Sequence, residues 1–330
     1  MDILLNLGLL TLGFVFLIKG ADFFVLSSSS MARKHNISPL IIGLTLVAFG
    51  TSLPELAVSF VSSLTVAPGA TADITLGNVI GSNIVNITLI LGLTALVRAV
   101  PVSPTMHRKE FPFLIIATLV IAILVFFFQS DYIITSWEAL ILLLLFGFYI
   151  YLMLTNKNQA IDDIEIKLIN SKKALILLFT GILGVSLGGF MVTKGAEFIA
   201  IKLLVDSFGM TVTKATTLVG LSVVAIGTSL PEMVTSVVAA RKNENEIAFG
   251  NIVGSNIFNV LFILGLSGVF SPLGVNQDVA IDTLLLIPIT LFAIIFAISK
   301  HKVSRIEGFM LVGIYIVYLS YIILRALMLV

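Results

Sequence analysis

Gly43-Leu44-Thr45-Leu46-Val47-Ala48-Phe49-Gly50-Thr51-Ser52-Leu53-Pro54-Glu55 returns in the second half of the chain as Gly220-Leu221-Ser222-Val223-Val224-Ala225-Ile226-Gly227-Thr228-Ser229-Leu230-Pro231-Glu232. A second block, Gly77-Asn78-Val79-Ile80-Gly81-Ser82-Asn83-Ile84-Val85-Asn86, returns as Gly250-Asn251-Ile252-Val253-Gly254-Ser255-Asn256-Ile257-Phe258-Asn259. Lys19-Gly20-Ala21-Asp22-Phe23 returns as Lys194-Gly195-Ala196-Glu197-Phe198. Three blocks repeated in one order make the chain two versions of one unit.

The residues around these blocks are those of a membrane protein. The chain has 330 residues, 58% hydrophobic and only 11% charged, with a mean hydropathy of +1.14, against roughly 25% charged in a soluble domain. Apolar segments run over 3–30, 38–64, 74–97, 111–129, 133–154, 174–205, 213–240, 247–270, 281–299 and 306–328. Each approaches or exceeds the roughly 20 residues that span a bilayer. In lipid each segment must satisfy its own backbone, so the segments are expected to be helices and the fold an all-α integral membrane protein with ten transmembrane helices. The apolar N-terminal stretch reads as a span rather than a secretory signal, because Asp2 precedes it and Lys19 follows it.

Lys and Arg gather in alternate connections: Arg33 and Lys34; Arg98, Arg108 and Lys109; Lys157, Lys167, Lys172 and Lys173; Arg241 and Lys242; Lys300, Lys302 and Arg305. The opposite side holds Lys202, Lys214 and Arg325. The positive-inside rule makes the first set cytoplasmic and both termini extracytoplasmic. Residues 1–155 then form a first five-helix repeat, 156–173 a cytoplasmic linker, and 174–330 a second five-helix repeat. An odd number of spans per half means that the second enters the membrane from the other side. Such inverted repeats are a device of secondary transporters, with a site at the midplane between the halves.

The repeated blocks carry the chemistry. Glu55 and Glu232 fall inside spans, where a carboxylate costs roughly 2.5–3.5 kcal/mol or more and is functional by default. A single such glutamate could instead be a protonated helix–helix contact; two in one duplicated context argue against that. Proline one residue earlier loosens the helix and frees carbonyl oxygens. Thr51 and Ser52, with Thr228 and Ser229, stand three and four residues before each glutamate, on its helix face. Ser82 with Asn86, and Ser255 with Asn259, add oxygens at one-turn spacing. Such an oxygen cluster suits a hard cation such as Ca2+, which takes six to eight oxygens. Two carboxylates are neutralised by one Ca2+ or balanced by several Na+, and competition between the ions is a physical basis for exchange. His35, His107 and His301 lie in connections and cysteine is absent, so zinc, iron–sulfur and thiol chemistry are not expected. Lys19 with Asp22, and Lys194 with Glu197, read as i,i+3 anchor pairs.

Gly-Thr-Ser-Leu-Pro-Glu twice, each followed by Gly-Asn-x-x-Gly-Ser-Asn, resembles the two α-repeats of the cation/calcium antiporter superfamily, and most closely its prokaryotic sodium/calcium exchangers. The resemblance implies antiport of Ca2+ against Na+ by alternating access, with the first and sixth helices sliding over a core of the other eight. It implies Glu55 and Glu232 as central Ca2+ ligands, assisted by Thr51, Ser52, Thr228 and Ser229. It further implies the carbonyls of Ala48 and Ala225 and the side chains of Ser82, Asn86, Ser255 and Asn259. Some archaeal and potassium-dependent relatives have aspartate where this chain has Asn259, so the site has one fewer ionisable group, which leans against K+ co-transport. The large cytoplasmic calcium-sensing insert of animal exchangers is missing, since about eighteen residues separate the halves.

The expected function is therefore electrogenic Ca2+ extrusion driven by Na+ in a prokaryotic plasma membrane. The alternative is a Ca2+/H+ antiporter using the same site, because protonation of Glu55 and Glu232 would also discharge the ion. Ca2+ and Na+ are expected as substrates, and the lipid bilayer as surroundings. No cofactor, nucleic acid or obligatory protein partner is expected. Enzymatic activity is not expected either, because no nucleophile or base near the membrane surface is repeated in the two halves.

Overall fold

The computed structural model describes residues 2–66, 71–103, 106, 108–126, 133–155 and 169–327. Its helices are α1 (Asp2–Lys34), α2 (Pro39–Ile42), α3 (Ala48–Thr51), α4 (Leu53–Thr65), α5 (Asp73–Val85), α6 (Leu91–Val97), α7 (Glu110–Phe126) and α8 (Ser136–Thr155) in the first half. The second half holds α9 (Ser171–Phe208), α10 (Val212–Val219), α11 (Ala225–Thr228), α12 (Leu230–Arg241), α13 (Asn245–Phe258), α14 (Leu264–Phe270), α15 (Gln277–Ser299) and α16 (Arg305–Ala326). Among the described residues, each of the ten apolar segments falls mainly on helix. Seven continuous helical stretches among the described residues are long and apolar enough to cross a membrane, and two further candidates are broken pairs bent by 52° and 56°. Residues 110–126 form a shorter apolar helix. The linker expected at 156–173 lies outside the described residues over 156–168, and helix has begun again at Ser171.

Four π-helical turns interrupt the central helices at matched places. Gly43–Val47 and Gly220–Val224 precede the two breaks, and Asn86–Ile90 and Asn259–Ile263 follow the two Gly-Ser-Asn motifs. Hydroxyls at i−4 accompany three of them: Thr45 donates to Ile41 O and Ser222 to Leu218 O, each at 2.6 Å, and Thr88 donates to Ile84 O. A side chain bonded into the helical ladder is a recognised cause of local bending.

The all-α expectation needs a small correction: two ladders of two residues per strand clip the connections. Val100–Pro101 pairs antiparallel with Lys302–Val303, and Ile133–Ile134 with Leu273–Gly274. Each ladder joins one half of the chain to the other, which ties the two units at both ends.

The long helices α1 and α9 lie antiparallel along one side. Their seam is made of glycine, and a Cβ at Gly20 would sit 2.6 Å from the Val185 backbone nitrogen and one at Gly188 2.5 Å from that of Leu17. Small residues let backbones meet this closely, where dispersion replaces the absent hydrophobic drive. No proline interrupts α9, which starts where the Asn170 side chain accepts from the Lys172 N–H and stops at Gly209, whose φ of 65° is left-handed. The outer faces of this pair are apolar and exposed, Leu4, Leu5 and Phe190 among them, as lipid contact requires. The larger core lies elsewhere, around the two most buried helical stretches, 74–97 and 245–270, while a smaller cluster with Leu17, Phe24 and Val185 packs the inner face of this pair.

Candidate cation site

The helix breaks put each glutamate at a helix start. Ser52 (φ −83°, ψ 11°) and Ser229 (φ −88°, ψ 7°) leave the helical path. A new helix begins at the next residue, with proline second and glutamate third. Proline is tolerated there because its missing N–H would have no intrahelical partner. The positive end of the helix dipole favours a carboxylate in the first turn. Glu55 and Glu232 are both completely buried.

The break corrects one sequence expectation. Ser52 and Ser229 do not serve the glutamate of their own motif. Ser52 Oγ donates to Glu232 Oε1 at 2.8 Å, and Ser229 Oγ donates to Glu55 Oε1 at 3.1 Å. The two motifs are thus cross-linked by a reciprocal pair of hydrogen bonds, and the carboxylates are close enough to interact electrostatically. Each keeps its Oε2 without a hydrogen-bond partner among the described residues.

Other expected ligands gather unevenly. Ser82 lies beside Glu55. Asn86, Ser255 and Asn259 are buried, and Asn86 Oδ1, Ser255 Oγ and Asn259 Oδ1 have no partner among the described residues. Asn259 is held by its other end, where Nδ2 donates to Asn83 Oδ1 at 3.1 Å. Thr51 is tied across the halves, its hydroxyl 3.0 Å from Asn251 Oδ1. Thr228 is less committed: it is half-buried, and its hydroxyl reaches the Ala225 carbonyl at 3.5 Å. The Ala48 carbonyl accepts the Ser52 N–H at 3.0 Å and lies 3.3 Å from the Thr51 hydroxyl. Ser229 N–H goes to Ile226 O instead, at 3.1 Å, which leaves the Ala225 carbonyl freer than Ala48.

Asn78 and Asn251 escaped the sequence reading as site residues. Asn78 Nδ2 donates to Ser59 Oγ at 3.0 Å and the Glu55 carbonyl at 3.4 Å; Asn251 Nδ2 donates to Ser236 Oγ at 2.9 Å and the Glu232 carbonyl at 3.4 Å. Each asparagine pins the backbone that carries a glutamate. Both stand in the duplicated Gly-Asn motif, and a serine follows each glutamate by four residues, so the duplication itself was the signal.

Two carboxylate oxygens, two amide oxygens and a serine hydroxyl therefore remain unpaired and buried around one junction. Leaving such atoms unmet costs about 1–3 kcal/mol each, and a hard cation meets several at once. The described residues contain no group of three or more His, Cys, Asp or Glu that could hold a metal. The donor set is neutral oxygens around two charges, suited to an ion that binds and leaves.

A cavity of about 670 Å3 runs beside both breaks, between α9 and the helices that carry the glutamates. Leu53, Pro54, Gly227, Thr228 and Pro231 line one wall and Ile182 to Lys194 of α9 the other.

The model of the family described as sodium/calcium exchanger protein matches residues 5–155 and 173–324. The chain belongs to that family. The sodium/calcium exchanger MaX1 of Methanosarcina acetivorans is 33% identical over 356 residues, covering 96% of this chain and 98% of that protein.

 The inner membrane protein YrbG of Escherichia coli strain K12 is 34% identical over 332 residues, 96% of each chain. A solved structure of the sodium-calcium exchanger NCX_Mj superposes with a TM-score of 0.78 at 31% identity, covering 97% of this chain and 99% of that one. The family member described here is thus a helical membrane protein with the NCX_Mj fold over nearly its whole length.

The anchor pairs of the sequence reading divide. Lys194 does pair with Glu197, at 2.8 Å. Asp22 pairs instead with Lys242, at 2.9 Å. That bond joins α1 to the end of α12, and Glu244 reinforces it by accepting from Ser29 Oγ at 2.7 Å and facing Arg33 at 3.4 Å.

Proposed function

We propose that the protein exchanges Ca2+ for Na+ across a prokaryotic plasma membrane by alternating access, without enzymatic activity, and that Glu55 and Glu232 hold both ions in turn. The reciprocal bonding of Ser52 to Glu232 and Ser229 to Glu55 carries the reading. It fuses the two motifs into one site whose remaining carboxylate oxygens have no other partner among the described residues. Family membership and the likeness to MaX1 and NCX_Mj support the same ions.

In this reading the chain has ten spans in two inverted repeats, 1–155 and 174–330, joined by a cytoplasmic linker, with both termini outside. The seven long helices, two broken pairs and one shorter apolar helix supply that number of segments. The matched π turns and breaks support the repeat. Helices α1 and α9 are the sliding pair, since a glycine seam holds them to each other, α9 lines the cavity beside both breaks, and their outer faces are apolar and exposed. The remaining ligands are Thr51, Thr228, Ser82, Asn86, Ser255, Asn259 and the Ala48 and Ala225 carbonyls. Exchange of each Ca2+ for more than two Na+ would move net charge, which makes the cycle electrogenic.

The test uses proteoliposomes loaded with Na+ and diluted into Na+-free medium with labelled Ca2+. Uptake that requires internal Na+ is the expected result. Uptake driven by a pH gradient in Na+-free buffer would replace Na+ with H+ as the coupling ion, and flux without coupling would make the protein a channel.

A further inference from the structure

A second concave site lies away from the glutamates, where the ends of α6, α12 and α16 meet. Val97, Arg98, Ala99, Pro101, Arg241, Asn245 and Arg305 enclose about 660 Å3. Three guanidinium groups, always protonated, share this pocket with no carboxylate among its lining residues. The nearest carboxylates along the chain are committed elsewhere. Glu244 serves Ser29 and Arg33, Glu246 faces Ser38 and the Leu40 N–H, and Glu307 accepts from the Ser304 N–H at 2.6 Å. Among the described residues, Arg305 bonds the Val97 carbonyl at 3.4 Å.

The rim is apolar. Val97 lines the pocket and is 42% exposed, while Ile306 and Phe309, beside Arg305 and one turn further along α16, are 69% and 70% exposed. Exposed aliphatic and aromatic side chains at the end of a membrane helix face acyl chains. The pocket therefore stands where the hydrocarbon ends and charge begins. Asn245 adds a buried Oδ1 with no partner among the described residues, an acceptor that the oxygens of a phosphodiester cannot satisfy but a headgroup hydroxyl can.

We propose that this pocket binds the phosphate of an anionic glycerophospholipid, with Arg98, Arg241 and Arg305 around the phosphate, a headgroup hydroxyl donating to Asn245, and the acyl chains along Val97, Ile306 and Phe309. Basic pockets between membrane helices are suited to such headgroups, and guanidinium matches phosphate in bidentate geometry. The site is separate from the cation site and does not depend on which ions are exchanged.

Native mass spectrometry of the delipidated full chain tests this, with added dioleoyl phosphatidylglycerol, dioleoyl phosphatidylcholine or inorganic phosphate. The wild type is expected to retain one phosphatidylglycerol and to prefer it over phosphatidylcholine. Arg98→Gln with Arg241→Gln should reduce that retention by about tenfold or more. Arg241→Gln alone serves if the double variant does not fold, with a smaller loss expected. Equal retention of both lipids, or unchanged retention in a folded variant, would overturn the proposal. Saturable binding of inorganic phosphate without selective retention of phosphatidylglycerol would overturn the lipid as source of the phosphate.

Discussion

Glu55 and Glu232 are alike in sequence and in surroundings, and each depends on the other's motif. The serine before Leu-Pro-Glu donates across the junction, so neither half forms its carboxylate environment alone. Glu55→Gln and Glu232→Gln should each weaken Ca2+ binding by about 100-fold, since losing one partner of a buried charged contact costs 2–5 kcal/mol. Calorimetry on the purified variants measures it; wild-type affinity in either would show that the site is misplaced. Asn251 acts through position, holding the Glu232 carbonyl and Ser236. Asn251→Ala should lower affinity by about tenfold, two neutral hydrogen bonds being worth about 0.5–1.5 kcal/mol each, and equilibrium Ca2+ binding checks it. The carboxylates were legible because a membrane charge is costly and duplication is visible. The exchange of serines was not: helical spacing put Ser52 on the face of Glu55, and only the break turns it to Glu232.

Elements bend here where the chain can neither continue nor stop. The π turns, the serine breaks and the prolines at the second position of α4 and α12 recur in both halves, so the same local sequence makes the same interruption twice. Proline marked those places in the sequence, but it pointed to a loosened helix rather than to a fresh start with glutamate in its first turn. The glycine seam of α1 and α9 was also hidden, because Gly13, Gly20, Gly184 and Gly188 are not spaced as a single motif and meet only across an antiparallel pair. Gly188→Ala places a methyl group against the Leu17 backbone, where nothing flexible can give way. Transport should fall by about tenfold or more while the protein stays folded, because overpacking costs about 1–3 kcal/mol; labelled Ca2+ uptake and size-exclusion profiles of the inserted variant separate the two effects.

Across the whole molecule, the halves are matched but not equal. Ala48, Gly50 and Thr51 are buried, whereas Ala225 and Thr228 are half-buried beside the cavity along α9. Ties from Lys242 and Glu244 hold α1 at Asp22, Ser29 and Arg33. Both versions of the motif thus border the cavity, the first through Leu53 and Pro54 and the second through Gly227, Thr228 and Pro231, but they differ in which of their residues are covered. Ten apolar segments gave this layout in outline, since each span is long and the repeats are close in sequence. The asymmetry was beyond reach, because nearly identical motifs carry no record of which one the surrounding helices cover. The central claim is that one site between the two motifs serves both ions. Equilibrium Ca2+ binding to the purified protein at increasing Na+ tests it most directly: the account predicts one Ca2+ per chain, with an apparent Kd that rises without limit and more steeply than in proportion to Na+. A Ca2+ affinity that is indifferent to Na+, or that levels off at high Na+, would contradict a shared site.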